Sequence, residues 1–151
     1  FQPSETQAVE EQIKETVQLY FATVDRVRQR SSEPSVSLES VASSSQLIAQ
    51  QELLENQREA GLRQVGGTEI VELRLESVSL GDPAIALVDV CWDVRAVDVV
   101  DGELRSVVTP ERKNVGWTRY TVTNEKWEST TDDGWRVSGG ADLEKEPCTG
   151  P

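Results

Sequence analysis

The sequence predicts an α+β fold in which N-terminal helices pack in a curved antiparallel sheet of about four strands. Through about residue 64 the apolar residues recur at spacings of three and four, which is the helical period. After Gly66-Gly67 the apolar residues alternate with polar residues, which is the period of a strand with one solvent-exposed face. Helices followed by consecutive strands are typical of α+β proteins. A chain of 151 residues with 36% hydrophobic residues can bury one core, so we expect a single domain over residues 1–151.

The first predicted helix runs from about Glu5 to Gln29, and Ser4 or Thr6 could cap its start. Its apolar residues form one stripe: Val9, Ile13, Val17, Tyr20, Phe21, Val24 and Val27. Three arginines lie near its end: Arg26, Arg28 and Arg30. We interpret them as cations at the negative end of the helix dipole, and an anion-binding site is the alternative.

The second predicted helix follows a serine-rich loop at residues 31–45 that contains one short helix. It runs from about Gln46 to Gln64, with Ser43 and Gln46 at the spacing of a capping box. We expect Gly66-Gly67 to end it, because glycine commonly terminates helices.

The strands follow in the second half of the chain. The first covers residues 68–80 and has Val71, Leu73 and Leu75 on its apolar face. The longest covers residues 84–100, with an apolar face made of Ala86, Val88, Val90, Trp92, Val94 and Ala96. Its opposite face carries Asp89, Cys91, Asp93 and Arg95. Further strands are predicted at residues 114–122, from residue 126 and at residues 135–138, with a turn at residues 131–134.

The two cysteines predict the cellular compartment in which the protein works. Cys91 lies on the outward face of the longest strand, and Cys148 lies in a C-terminal tail at residues 141–151. A disulfide between them would tie this tail to the sheet and, by closing a loop of about 57 residues, contribute about 4 kcal/mol; two free thiols are the alternative. Disulfides persist in oxidising compartments, and the sequence contains no methionine. We therefore expect a secreted or cell-envelope protein whose leader has been removed.

The net charge of −12 limits the partners. An acidic surface repels nucleic-acid phosphates and anionic lipid headgroups, so we expect no nucleic-acid partner. No apolar stretch approaches the roughly 18 residues of a membrane span, so membrane contact is expected only through a removed leader or a lipid anchor.

The composition also excludes several kinds of catalytic site. The chain has no histidine, which excludes Ser-His-Asp and Cys-His machinery. Two cysteines supply too few ligands for zinc, and the acids at residues 131–134 lack the spacing of a calcium loop. Asp89 and Asp93 lie about 13 Å apart along a strand, too far for a catalytic carboxylate pair. We therefore expect no metal and no cofactor.

The element order and two short motifs, Gly116-Trp117-Thr118 and Gly134-Trp135-Arg136-Val137, resemble the nuclear transport factor 2-like superfamily, also called cystatin-like or SnoaL-like. Secreted and lipoprotein-type actinobacterial domains are the most similar members in composition. The resemblance implies a cone-shaped sheet that wraps the first helix, a pocket at its open end and a possible homodimer through the sheet. Members include enzymes, ligand binders and assembly modules, so the fold does not select a function.

The resemblance also suggests an enzyme alternative. Ketosteroid-isomerase-like members use a tyrosine on the first helix and strand carboxylates that face the pocket, and Tyr20 and Asp98 match those positions. No aspartate follows the first helix, where those enzymes place their base. Core packing for Tyr20 and a solvent-facing strand end for Asp98 are the structural alternatives.

Four tryptophans lie in the sheet half: Trp92, Trp117, Trp127 and Trp135. Aromatic rings fill cores but also line ligand pockets and interfaces, so Tyr20, Trp92 and Trp117 are the candidate ligand-binding residues. We expect a non-catalytic extracytoplasmic binding or assembly module whose partner is a small apolar ligand or an envelope protein. A small ketosteroid-isomerase-like or cyclase-like enzyme is the alternative, and membership of an envelope complex is a third interpretation.

Overall fold

A computed structural model of the chain describes residues 3–127 and 134–148, with side chains from Thr6 onward. Three helical segments come first: α1 (Pro3–Gln29), a 3-10 helix (Ser35–Ser40) and α2 (Ser44–Glu59). Six strands follow: β1 (Arg63–Val65), β2 (Glu69–Ser79), β3 (Ala84–Asp93), β4 (Asp98–Val100), β5 (Val115–Asn124) and β6 (Trp135–Leu143). The predicted α+β fold is confirmed. The side chain of Ser4 and the predicted turn at residues 131–133 lie outside the described residues.

The main sheet has four antiparallel strands in the order β2-β3-β5-β6. We call the face that packs against α1 the inner face, and the opposite one the outer face. The central strands β3 and β5 pair without interruption from Ala84–Asn124 to Asp93–Val115. Apolar residues of α1 and the inner face form the main core, among them Ile13, Val17, Val88, Val90, Val122 and Val137.

The longest predicted strand is shorter than expected. β3 ends at Asp93, and the chain turns before β4 pairs with β1 in a separate two-stranded sheet. The Asp93 carboxylate accepts hydrogen bonds from the backbone N–H of Arg95 at 2.8 Å and from its guanidinium at 2.6 Å. Val97 N–H then bonds the Val94 carbonyl at 2.8 Å and closes the turn. Local turn chemistry therefore overrides the apolar alternation.

The second helix also ends earlier than predicted. α2 stops at Glu59, and Gly61 follows with a φ of +73°, a conformation that glycine adopts without steric cost. Ser43 is the N-cap residue as expected, but its side chain makes no capping hydrogen bond. Because α1 begins at Pro3, Thr6 lies inside that helix and not at its cap.

Two irregularities in β2 change which residues face the core. The pairing with β3 shifts between Ile70 and Glu72 and again between Leu75 and Ser77. Such bulges turn side chains to the other face of a sheet. Val71, predicted to lie on the core face with Leu73 and Leu75, therefore packs on the outer face.

The outer face carries the predicted disulfide. Cys91 and Cys148 are bonded, and Cys91 is buried on this face as the strand alternation predicted. β6 extends to Leu143, so residues 141–143 of the expected tail belong to the sheet. Beyond them, Trp117 Nε1 donates a hydrogen bond to the Glu146 carbonyl at 3.1 Å. Within the described ranges, no helix is both long and apolar enough to cross a bilayer.

A candidate ligand cavity between the first helix and the sheet

A cavity of about 320 Å³ opens between α1, α2 and the inner face of the sheet. This volume is at the lower end of the range for small-molecule sites. Its lining combines aromatic, polar and charged side chains: Tyr20, Phe21, Val24, Asp25, Arg28, Gln50, Thr68, Trp92, Val94, Lys113, Thr118 and Tyr120.

Three aromatic rings form one wall of the cavity. Tyr20 and Phe21 come from α1, and Tyr120 comes from β5. The ring centroids are 5.7 Å apart for Tyr20 and Phe21, 5.7 Å for Tyr20 and Tyr120, and 5.6 Å for Phe21 and Tyr120. These tilted and edge-on contacts are favourable geometries for aromatic rings. The wall is therefore apolar and fixed by mutual packing.

The two phenols bring polar ends to this wall. Gln46 Nε2 donates a hydrogen bond of 2.6 Å to the Tyr20 hydroxyl oxygen. Burial raises the pKa of Tyr20, and the Gln46 hydrogen bond only partly offsets that effect. Burial also raises the pKa of Tyr120 well above its ordinary value. Both phenols are thus protonated at neutral pH and able to donate a hydrogen bond.

Trp92 also lines the cavity, from the inner face of β3, and is positioned by two neighbours on β5. Its indole N–H donates to the Thr118 hydroxyl at 2.9 Å, and that hydroxyl donates to the Asp142 carboxylate at 2.8 Å. Gly116 lies directly across from Trp92 in the pairing of β3 and β5. A Cβ at Gly116 would lie 2.9 Å from the indole Cζ2 and 2.8 Å from Lys113 Cε, so glycine is required for this approach.

Asp25 supplies the carboxylate of the cavity lining, and its oxygens are already engaged. Oδ1 accepts from Gln64 Nε2 at 2.8 Å and from the Thr68 hydroxyl at 3.2 Å. Oδ2 accepts from the Thr68 backbone N–H at 2.9 Å. Asp25 therefore joins α1 to the chain that enters β2.

Two cations also line the cavity. Arg28 Nη2 donates to Gln50 Oε1 at 2.8 Å. Burial lowers the pKa of Arg28, while Tyr20 and Asp25 oppose this effect. Lys113 lies in the exposed segment before β5, beside the Trp92 ring.

The structure brings together only part of the predicted site. Tyr20 and Trp92 both line the cavity, and their role in ligand binding stays a prediction. Trp117 lies on the outer face, where Lys145 Nζ is 3.9 Å and Arg74 Cζ 5.0 Å from its ring centroid. Trp117 is displaced from the inner face because its register pairs it with the outward-facing Cys91.

Asp98 is also away from Tyr20. It lies in β4 of the small sheet, and its carboxylate accepts a hydrogen bond of 2.6 Å from the Ser106 hydroxyl. Alternation through the predicted strand at residues 84–100 would put Asp98 on the same face as Trp92, but β3 ends at Asp93. The remaining tryptophans, Trp127 and Trp135, pack against each other at 5.8 Å.

Sequence reasoning missed most of the polar lining. Arg28 is one of the three arginines for which the sequence leaves an anion-binding site as an alternative, and Phe21 belongs to the apolar stripe of α1. Asp25 follows Phe21 by one helical turn, a spacing that could have placed it on the same face. Nothing local marks Gln50 or Lys113, because their positions depend on tertiary packing.

No protein-family model and no curated protein sequence matches the chain. Among solved structures, the fold is similar to the crystal structure of the intermembrane space region of the chloroplast protein ARC6, with a TM-score of 0.59. The two sequences are 18% identical, and the match covers 86% of this chain and 92% of that chain. At this identity the similarity shows a shared fold and nothing about function.

Proposed function

We propose that the protein is a non-catalytic binding module of the nuclear transport factor 2-like type that works outside the cytoplasm and holds a small ligand with an apolar body. The observation that carries this proposal is the cavity of about 320 Å³ with aromatic walls and a few placed polar groups. That combination is typical of small-molecule sites.

The walls of the cavity are held in place by the protein itself. Gln46 fixes the Tyr20 hydroxyl, and Thr118 fixes the Trp92 indole. Side chains that are ordered before binding lose little conformational entropy when a ligand arrives. This preorganisation favours a binding role for the cavity over a role as a packing defect.

The Cys91–Cys148 disulfide supports the extracytoplasmic half of the proposal. Disulfides of this kind form and persist in secreted and envelope proteins, while the cytosol keeps most thiols reduced. Secretion with cleavage of a leader, or retention through a lipid anchor, are the two forms that this proposal takes.

Native mass spectrometry of the unreduced protein, purified from an oxidising compartment of its source cells, tests the binding role. We expect extra mass that disappears on denaturation. Val24→Trp should remove this mass by filling the cavity, whereas Ile48→Trp, at an exposed position of α2, should retain it. A spectrum at the apo mass, with no uptake from a panel of apolar compounds, would contradict the proposal.

A second candidate, a ketosteroid-isomerase-like enzyme, is favoured by the presence of a first-helix phenol, Tyr20, and a carboxylate, Asp25, in the same cavity lining. Tyr20 would polarise a carbonyl oxygen, and Asp25, in place of Asp98, would be the nearby carboxylate. Turnover of a steroid-like ketone that Tyr20→Phe abolishes without unfolding would support it. Absence of turnover by the intact protein would reject it.

A further inference from the structure

We propose that the ligand of this cavity carries a carboxylate that is bound by Arg28, with Lys113 as a second cation at the rim. This inference rests on the proposed binding function and names the chemical class of its ligand. It accounts for a partly buried guanidinium in the cavity lining to which the protein supplies one hydrogen-bond acceptor.

Arg28 differs from the other arginines that are partly buried. Arg119 pairs with Asp89 at 2.7 Å, and Arg58 donates to three backbone carbonyls. Among the described residues, the acceptor of the Arg28 guanidinium is Gln50 Oε1 alone, and no carboxylate lies within 4 Å of it. A guanidinium has five N–H donors, so most of those on Arg28 lack a protein acceptor.

Partial burial of the Arg28 guanidinium carries a solvation cost. Burial is the largest influence and lowers its pKa, which means that the charged form is poorly solvated there. Tyr20 and Asp25 oppose this effect and offset part of the cost. A carboxylate in the cavity would accept two parallel N–H donors from the guanidinium and complete its hydrogen bonding.

The charges around the cavity favour an anion although the whole protein is acidic. The lining contains two cations, Arg28 and Lys113, against one carboxylate, Asp25. Gln64 and Thr68 already hold both oxygens of Asp25, which reduces its repulsion of a second anion. Lys113 forms no ion pair with any carboxylate in the described ranges. The lining is therefore net positive in a chain of net charge −12.

The size and walls of the cavity define the rest of the ligand. A volume of about 320 Å³ corresponds to roughly ten water molecules at their liquid density. The aromatic residues of the lining, Tyr20, Phe21, Tyr120 and Trp92, supply apolar surface for the body of the ligand. An aromatic or compact alicyclic monocarboxylate fits these requirements.

Isothermal titration calorimetry with 2-naphthoate and its neutral analogue 2-naphthamide tests the inference. We expect the wild-type protein to bind the acid at least about tenfold more tightly than the amide, because a charge-assisted bidentate contact is stronger than a neutral one. Arg28→Gln should weaken the acid about tenfold or more and leave the amide unchanged. Lys113→Gln, at an exposed position, should have a smaller effect of the same sign.

Arg26→Gln is the matched control, because Arg26 is on the same helix and pairs with Glu33 outside the cavity. It should leave the affinity for 2-naphthoate unchanged. Circular dichroism melts establish that each variant folds, and the acid-to-amide ratio of the wild type tests the inference even if Arg28→Gln does not fold. Equal affinities for acid and amide, or an unchanged ratio in folded Arg28→Gln, would overturn the inference and leave the binding function standing. Failure of both compounds to bind at millimolar concentration would also overturn this inference, whereas the binding function is tested separately by native mass spectrometry and the panel of apolar compounds.

Discussion

Gly116 controls the shape of the cavity because the Trp92 ring packs across it. We expect Gly116→Ala to displace this ring from Thr118, to destabilise the fold by about 1–3 kcal/mol and to weaken ligand binding. Thermal unfolding and calorimetry with 2-naphthamide measure the two effects. Gly102→Ala is the control, since no atom lies within 4 Å of a Cβ at that position. Unchanged binding in Gly116→Ala would show that the ring position does not matter.

Asp89 links the stability of the protein to pH. It is buried on the outer face, and its hydrogen bonds with Arg119, at 2.7 and 2.9 Å, lower the pKa of the carboxyl group. A carboxyl whose pKa is lower in the folded state stabilises the fold above its unfolded pKa, and this contribution is lost as the pH falls through the folded value. We therefore expect stability to decrease below about pH 4.

Urea unfolding at pH 7 and pH 3 measures this contribution. Asp89→Asn should be less stable than the wild type at pH 7 and should lose less stability between the two pH values. Asp82→Asn, in an exposed turn, should behave like the wild type. An Asp89→Asn protein with the same pH dependence as the wild type would assign the acid sensitivity to other carboxyl groups.

The sequence predicts single residues well where the pattern is local. Strand alternation placed Cys91 on the outer face correctly, because β3 is regular through this residue. Alternation alone could not assign Trp117 to a face of the sheet. Its face is set by the register of β5 on β3, in which Trp117 pairs with Cys91. The charge of Arg28 was noticeable in the sequence, but its shortage of acceptors is a property of the tertiary structure.

The boundaries of elements depend on hydrogen bonds that hydrophobic periodicity does not encode. The apolar alternation after Asp93 continues, yet the chain turns because the Asp93 side chain bonds Arg95. Leu62 and Val65 fit the helical spacing of α2, but Gly61 ends the helical conformation and Val65 pairs with Asp98 in β1 and β4. In the first place a side-chain hydrogen bond, and in the second the backbone conformation of a glycine, overrides the predicted hydrophobic period.

The Asp93 turn supports the small sheet of β1 and β4. We expect Asp93→Ala to lower the free energy of unfolding, because it removes the carboxylate that accepts hydrogen bonds from the backbone N–H and the guanidinium of Arg95. Amide hydrogen exchange should quicken in β1 and β4 more than in β3 and β5. Glu103→Ala, whose side chain is 75% exposed, should change neither property. Uniform exchange in the Asp93→Ala protein would show that the turn does not stabilise this sheet separately.

At the scale of the whole molecule, the disulfide fixes the C-terminal segment on the outer face of the sheet. Its closed loop of 57 residues should contribute about 4 kcal/mol, mainly by restricting the unfolded chain. We expect the Cys91→Ala/Cys148→Ala double variant to lose about 2–5 kcal/mol in urea unfolding. The wild type under reducing conditions is the comparison, and stability unaffected by both treatments would contradict the estimate. Dimerisation through the sheet stays a prediction, and this segment occupies part of that surface.

The contrast between an acidic molecule and a positively lined cavity predicts how salt affects ligand association. At about 10 mM salt the screening length is about 30 Å, so an approaching carboxylate is repelled by the net charge of −12 before it reaches Arg28 and Lys113. At about 150 mM the length falls to about 8 Å, which screens the distant acids more than contacts inside the cavity. Stopped-flow tryptophan fluorescence should therefore show 2-naphthoate associating faster as salt rises over this range, while 2-naphthamide is unaffected. A rate for the acid that falls with salt would mean that the cavity cations, and not the net charge, govern its approach.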